Sequence, residues 1–171
     1  MAPAPPERTP SARAGQRPSV LVIGVGNSLR HDDATGLEIA RRLRARTEGT
    51  GIAVHEHEGE TLALLDIWEG ADAVVLVDAI RSGATPGTIH RFDATSTAIP
   101  VRLRGSSSTH AVGVGEAIEL ARALHRLPRR VVLFGAEGHS FAAGSGLSAE
   151  VEAITGQLLD AVLSEARELA R

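Results

Sequence analysis

The chain has neither cysteine nor lysine among its 171 residues. Without cysteine it has no disulfide, no thiol nucleophile and no thiolate ligand for a metal, a composition that suits a cytoplasmic protein. Without lysine it has neither a P-loop cation nor a Schiff-base amine, so all 18 basic residues are arginine. Aromatic residues make up only 2% of the chain. The core must therefore be built from Leu, Val, Ile and Ala, which is the material of parallel strands covered by helices. A net charge of -3 offers no basic surface to nucleic acid or to an anionic membrane. No apolar run reaches the length of a membrane span. Residues 1–18 are rich in Pro, Ala and Arg and lack the apolar stretch of a secretory signal. They read as a disordered N-terminal tail ahead of a single monomeric domain over 19–171.

The chain does have well-separated apolar runs. Val20–Gly26, Ile52–His57, Ala73–Ile80, Thr88–Phe92 and Arg130–Gly135 read as strands. Helical spacing follows Asp33 to about Arg46, with Asp32 or Asp33 available as the cap. Further helices are expected over Thr61–Trp68, His110–Leu127 and Ser148–Ala170. The segment Arg81–Gly87 is too short for a helical crossover, so the strand after it must run antiparallel to the one before. The pattern βαβαββαβα predicts an α/β three-layer αβα sandwich.

Three side chains fall where such a fold gathers its ligands, beyond the carboxyl ends of the strands: Asp33, Asp78 and His110. Two carboxylates and a neutral imidazole there make a metal site with an open position. Each has a plainer alternative. Asp78 can be satisfied by backbone N–H groups, and His110 can be a surface histidine. Gly24-Val25-Gly26 begins like a dinucleotide fingerprint, but Leu29 stands where the third glycine belongs. Asp32 and Asp33 would also repel a pyrophosphate. Gly138-His139-Ser140-Phe141-Ala142 resembles a nucleophile elbow, yet no histidine follows His139 to complete a triad. His55 and His57 share one strand face, and a solvated strand end is expected there.

In order and spacing, the pieces resemble the hydrogenase maturation endopeptidases, which trim the large subunit of [NiFe] hydrogenases. They are Gly24-Val25-Gly26-Asn27-Ser28-Leu29-Arg30-His31-Asp32-Asp33-Ala34-Thr35-Gly36, Leu76-Val77-Asp78-Ala79, Pro86-Gly87-Thr88, Ser108-Thr109-His110 and Gly146-Leu147-Ser148. The resemblance runs from about Val20 to about Leu169. It implies a mixed five-stranded sheet of order 2-1-3-5-4 with strand 4 antiparallel, a phosphorylase/hydrolase-like fold. It implies that Asp33, Asp78 and His110 are both the metal contacts and the catalytic residues. The metal would be nickel carried by the substrate, with cadmium or zinc substituting in the isolated protein. The implied partner is a large-subunit precursor, and the alternatives are a non-catalytic metal checkpoint or a dinucleotide oxidoreductase. Some relatives carry Glu at the Asp33 position, so the arm here is shorter. Two glutamates, Glu58 and Glu60, add charge nearby. Gly138 replaces the proline that relatives often carry after Glu137, which predicts a looser Gly138–Gly146 loop.

Overall fold

The computed structural model describes residues 19–58, 60–100 and 113–171. The strands are β1 (Val20–Val25), β2 (Ile52–His57), β3 (Ala73–Ile80), β4 (Ile89–Asp93) and β5 (Arg130–Glu137). The helices are α1 (Thr35–Thr47), α2 (Leu64–Ile67), α3 (Val114–Ala123) and α4 (Ala149–Leu169). Short 3-10 turns, His31–Ala34 and Thr61–Ala63, lead into α1 and α2. The sheet order is β2-β1-β3-β5-β4, with β4 antiparallel to β5 and the other pairs parallel. The order is the one the family resemblance implies, and the antiparallel β4 is the one the short Arg81–Gly87 connection requires.

Strand alternation separates two cores. Leu21, Ile23, Leu76 and Leu133 face the side covered by Trp68 and Ile118. Val20, Val22, Val75 and Val132 face Ile39, Leu43, Leu158 and Val162 of α1 and α4. The result is α2 and α3 on one face, the sheet, and α1 and α4 on the other. No helix among the described residues is long and apolar enough to cross a membrane.

Two boundaries differ from the sequence reading. Helix α3 opens at Val114, not at His110, because Gly113 is an extended N-cap (φ -81°, ψ 167°). The carboxylate of Glu116 reaches back to accept the Gly113 N–H at 3.1 Å. The helix also stops at Ala123, short of Leu127. His125 there takes the left-handed conformation, φ 55°. Its N–H donates to the Arg122 carbonyl at 3.1 Å, and the Arg126 N–H donates to the Ala121 carbonyl at 2.8 Å. That pair of bonds is a Schellman ending, normally built on glycine. His125→Gly should therefore raise stability by up to about 1 kcal/mol, the cost of a left-handed non-glycine residue. Urea unfolding checks this.

Candidate active site

Close backbone packing sets the site. Helix α1 begins directly over the ends of β1 and β3. A Cβ on Gly36 would lie 2.2 Å from the Val25 carbonyl oxygen and 2.3 Å from that of Val77. A Cβ on Gly24 would lie 1.9 Å from the Gly36 oxygen, and one on Gly26 would lie 1.9 Å from the Asp33 oxygen. The glycines that suggested a phosphate loop are thus occupied by chain-on-chain contact, which leaves a pyrophosphate no approach.

This wedge brings Asp33 to Asp78. Gly36 abuts Val77, Asp78 is the next residue of β3, and Asp33 sits one helical turn before Gly36. Asp33 is buried. Asp78 is the one partly exposed residue of an otherwise buried β3. Its carboxyl is held well above the usual carboxylate range, first by loss of solvation and then by the negative charge of Asp33, against a lowering hydrogen bond from Ala79. The backbone alternative for Asp78 is thus only partly realised, and electrostatic strain remains between two carboxylates. Among the described residues no group of three His, Cys, Asp or Glu side chains is placed to hold a metal ion. His110, the third expected member, lies outside the described residues.

Asp32 does not cap the following helix, and neither does Asp33. The residue ahead of the 3-10 turn is Arg30 and that ahead of α1 is Ala34, both without a side-chain cap. The fully buried Asp32 carboxylate turns instead to a loop more than a hundred residues away. Its Oδ2 accepts the N–H groups of His139 (2.8 Å) and Ser140 (2.9 Å), and its Oδ1 accepts that of Ser148 (2.6 Å). Burial alone would raise this carboxyl, but the amides of Ser140, Ser148 and His139 outweigh it and hold it below the ordinary value.

The same contacts correct the expectation of a loose Gly138–Gly146 loop. Gly138 donates its N–H to the Ile80 carbonyl at 3.0 Å, a bond proline would forfeit. A Cβ there would lie 2.3 Å from the Phe141 ring. The Arg30 guanidinium donates to the Phe141 carbonyl at 2.7 Å, and the chain at 29–31 pairs with Gly144. Ser140 is fixed in this loop and no helix follows it until Ala149, so no nucleophile elbow forms.

Two further carboxylates hold loops around the site. Glu58 accepts the Ser28 N–H at 2.7 Å, tying the end of β2 to the loop that carries Asp33. Glu137 was not singled out from sequence. It is buried at the end of β5 and holds the turn after β3 through Ser82 N–H (2.8 Å), Gly83 N–H (3.0 Å) and Ser82 Oγ (2.7 Å). Nor is the end of β2 solvated as expected: His57 is buried, with Nε2 3.0 Å from the Glu60 carbonyl, while His55 is exposed.

Similar proteins share this framework. The chain is 28% identical over 151 residues to the hydrogenase 2 maturation protease of Escherichia coli K12, covering 87% of this chain and 91% of that protein. It is 30% identical over 153 residues to the hydrogenase expression/formation protein HupD of Rhodobacter capsulatus, covering 88% and 70%. The solved hydrogenase maturating endopeptidase HybD from E. coli superposes with a TM-score of 0.71 at 28% identity, covering 87% of this chain and 92% of that one. The family model for hydrogenase maturation protease matches residues 37–165. The chain belongs to the hydrogenase maturation protease family, and its enzymatic class is that of an endopeptidase.

Proposed function

We propose that this protease removes the C-terminal extension of a [NiFe] hydrogenase large-subunit precursor in the cytoplasm, once nickel has been inserted into that precursor. The observation that carries this reading is the convergence of Asp33 and Asp78 at the carboxyl ends of the two central strands. Two carboxylates so near each other, one of them reluctant to ionise, repel each other, and a bound cation relieves that repulsion. Hard oxygen donors suit a divalent ion, and His110 is the nitrogen donor we assign to complete the set. Nickel belongs to the substrate, and once in place it supplies alignment of the scissile segment and polarisation of its carbonyl or of water. Asp33 then holds the negative charge, and Asp78 is the group positioned to take or return a proton. Cadmium or zinc serves as a surrogate ion for the isolated protein.

Shortening of precursor on a denaturing gel tests the reading. Nickel-loaded precursor should be cut and metal-free precursor left intact, with activity lost in Asp33→Asn. Efficient cutting of metal-free precursor by chelator-treated protein would remove nickel from the mechanism. A protein that binds loaded precursor without ever shortening it would be a metal-reading checkpoint instead.

A further inference from the structure

We propose that Asp32 is a positioning residue for the reaction, a clasp that fixes the Asp33 arm by gripping the loop between β5 and α4. The proposal rests on Asp33 being a working carboxylate. Every polar group of Asp32 is used. Its carboxylate accepts three N–H groups, from His139, Ser140 and Ser148. Its own N–H donates to the Ser140 carbonyl at 3.0 Å, and its carbonyl accepts the Thr35 hydroxyl at 2.6 Å. One residue thus joins the 3-10 turn, the start of α1, the loop and Ser148, the N-cap of α4. The adjacent residue in the chain is Asp33. The backbone of Asp33 is itself held by Arg30, whose carbonyl accepts its N–H at 2.9 Å, and by Asn27, which donates to its carbonyl at 3.1 Å. Among the described residues the turn that aims Asp33 is tied to this loop by the Arg30 guanidinium on the Phe141 carbonyl, by the pairing of Leu29 and His31 with Gly144, and by the Asp32 carboxylate, the one side chain of the turn that takes three N–H groups from it.

An asparagine at this position has the same shape but the wrong polarity. One oxygen can still accept two N–H groups, while the side-chain NH2 must face the third donor. In Asp32→Asn, hydrogen exchange should speed up about tenfold or more at one or more of His139, Ser140 and Ser148, with the strand amides unchanged. Cleavage of nickel-loaded precursor should lose about 100-fold in kcat with KM nearly unchanged, the cost of an ångström-scale misplacement. Asp93→Asn removes an equal charge from the exposed end of β4, where the Asp93 carboxylate accepts from Thr95, and should cut like wild type.

Full kcat in Asp32→Asn, or undisturbed exchange at all three amides, overturns the proposal. So does a loss that appears in KM alone. A wild-type protein that leaves loaded precursor intact overturns the proteolytic reading first, which separates the two failures. If Asp32→Asn does not fold, Ser148→Pro carries the test. Ser148 has φ -62°, so proline fits its backbone and deletes the N–H given to Asp32. Because it also removes the Ser148 hydroxyl, which contributes to holding the Asp32 carboxyl low, Ser148→Ala is the matched control. A kcat drop of about tenfold in Ser148→Pro supports the clasp, and an unchanged kcat overturns it.

Discussion

Gly36→Ala should leave the protein unfolded or cost it about 4 kcal/mol or more, the exceptional range for one substitution. The new methyl would stand 2.2 Å from the Val25 oxygen, 2.3 Å from the Val77 oxygen and 2.7 Å from the Val25 nitrogen. All three are main-chain atoms of central strands, so no rotamer change makes room. Relief requires α1 to lift from the sheet, which opens the contact with Ile39 and Leu43 and separates Asp33 from Asp78. The matched control is Gly156→Ala. Gly156 is exposed within α4, and nothing lies within 4 Å of its added Cβ. That change should stabilise by about 1 kcal/mol through helix propensity alone. Urea midpoints for the pair decide the matter. Equal midpoints for Gly36→Ala and wild type would mean that α1 does not sit on the strand ends as described.

Asp78→Asn should abolish cleavage while making the metal-free protein more stable at neutral pH. The loss of activity should be at least about 100-fold, the lower end for a positioned acid or base. The stability effect follows from linkage. Burial, and then the Asp33 charge, raise the Asp78 carboxyl above its unfolded value. Between the two values the native state binds more protons than the unfolded chain, so stability falls as pH rises through that window. Below the unfolded value, about 4, the penalty is absent. Asparagine never ionises and escapes it. The difference between variant and wild type in chelator should therefore grow from about pH 4 upward and level off above the raised value. Asp32 works in the opposite sense in both proteins, since its lowered carboxyl loses stabilisation only on acidification. Thermal melts across pH give the difference curve directly. A variant less stable than wild type throughout would show that the ionised carboxylate contributes net binding to its surroundings.

The direction of β4 was legible from local features, whereas the strand order came only from the family resemblance. Arg81–Gly87 cannot span a crossover, and the apolar runs are long enough to be buried on both faces. Asp78 was legible because an acid closing a buried apolar run is costly and so calls for a purpose. Glu137 ends β5 in the same way and was passed over, although identical reasoning applies. In its case backbone N–H groups satisfy the carboxylate, the outcome weighed as the alternative for Asp78. What the sequence hid was partner choice across distance. Asp32 has the spacing of a helix cap, and nothing local reveals that its acceptors face amides 107 to 116 residues away. The start of α3 was misjudged because apolar periodicity extends past the point where Gly113 and Glu116 close the helix.

The contact between Gly26 and Asp33 has a consequence for reach. With its carbonyl pressed against β1, the Asp33 main chain cannot advance toward an incoming polypeptide. The arm is a ruler of fixed length, graduated only by the number of methylenes in the side chain. Relatives with glutamate at this position carry a longer graduation, and this chain carries the shorter one. On the proposal that Asp33 meets the ion carried by the substrate, the difference in length must be taken up by the other molecule, which has to be seated one carbon deeper in the site. Compatibility between a protease of this kind and its substrate is then partly a matter of matched lengths, decided before any side chain of the substrate is read.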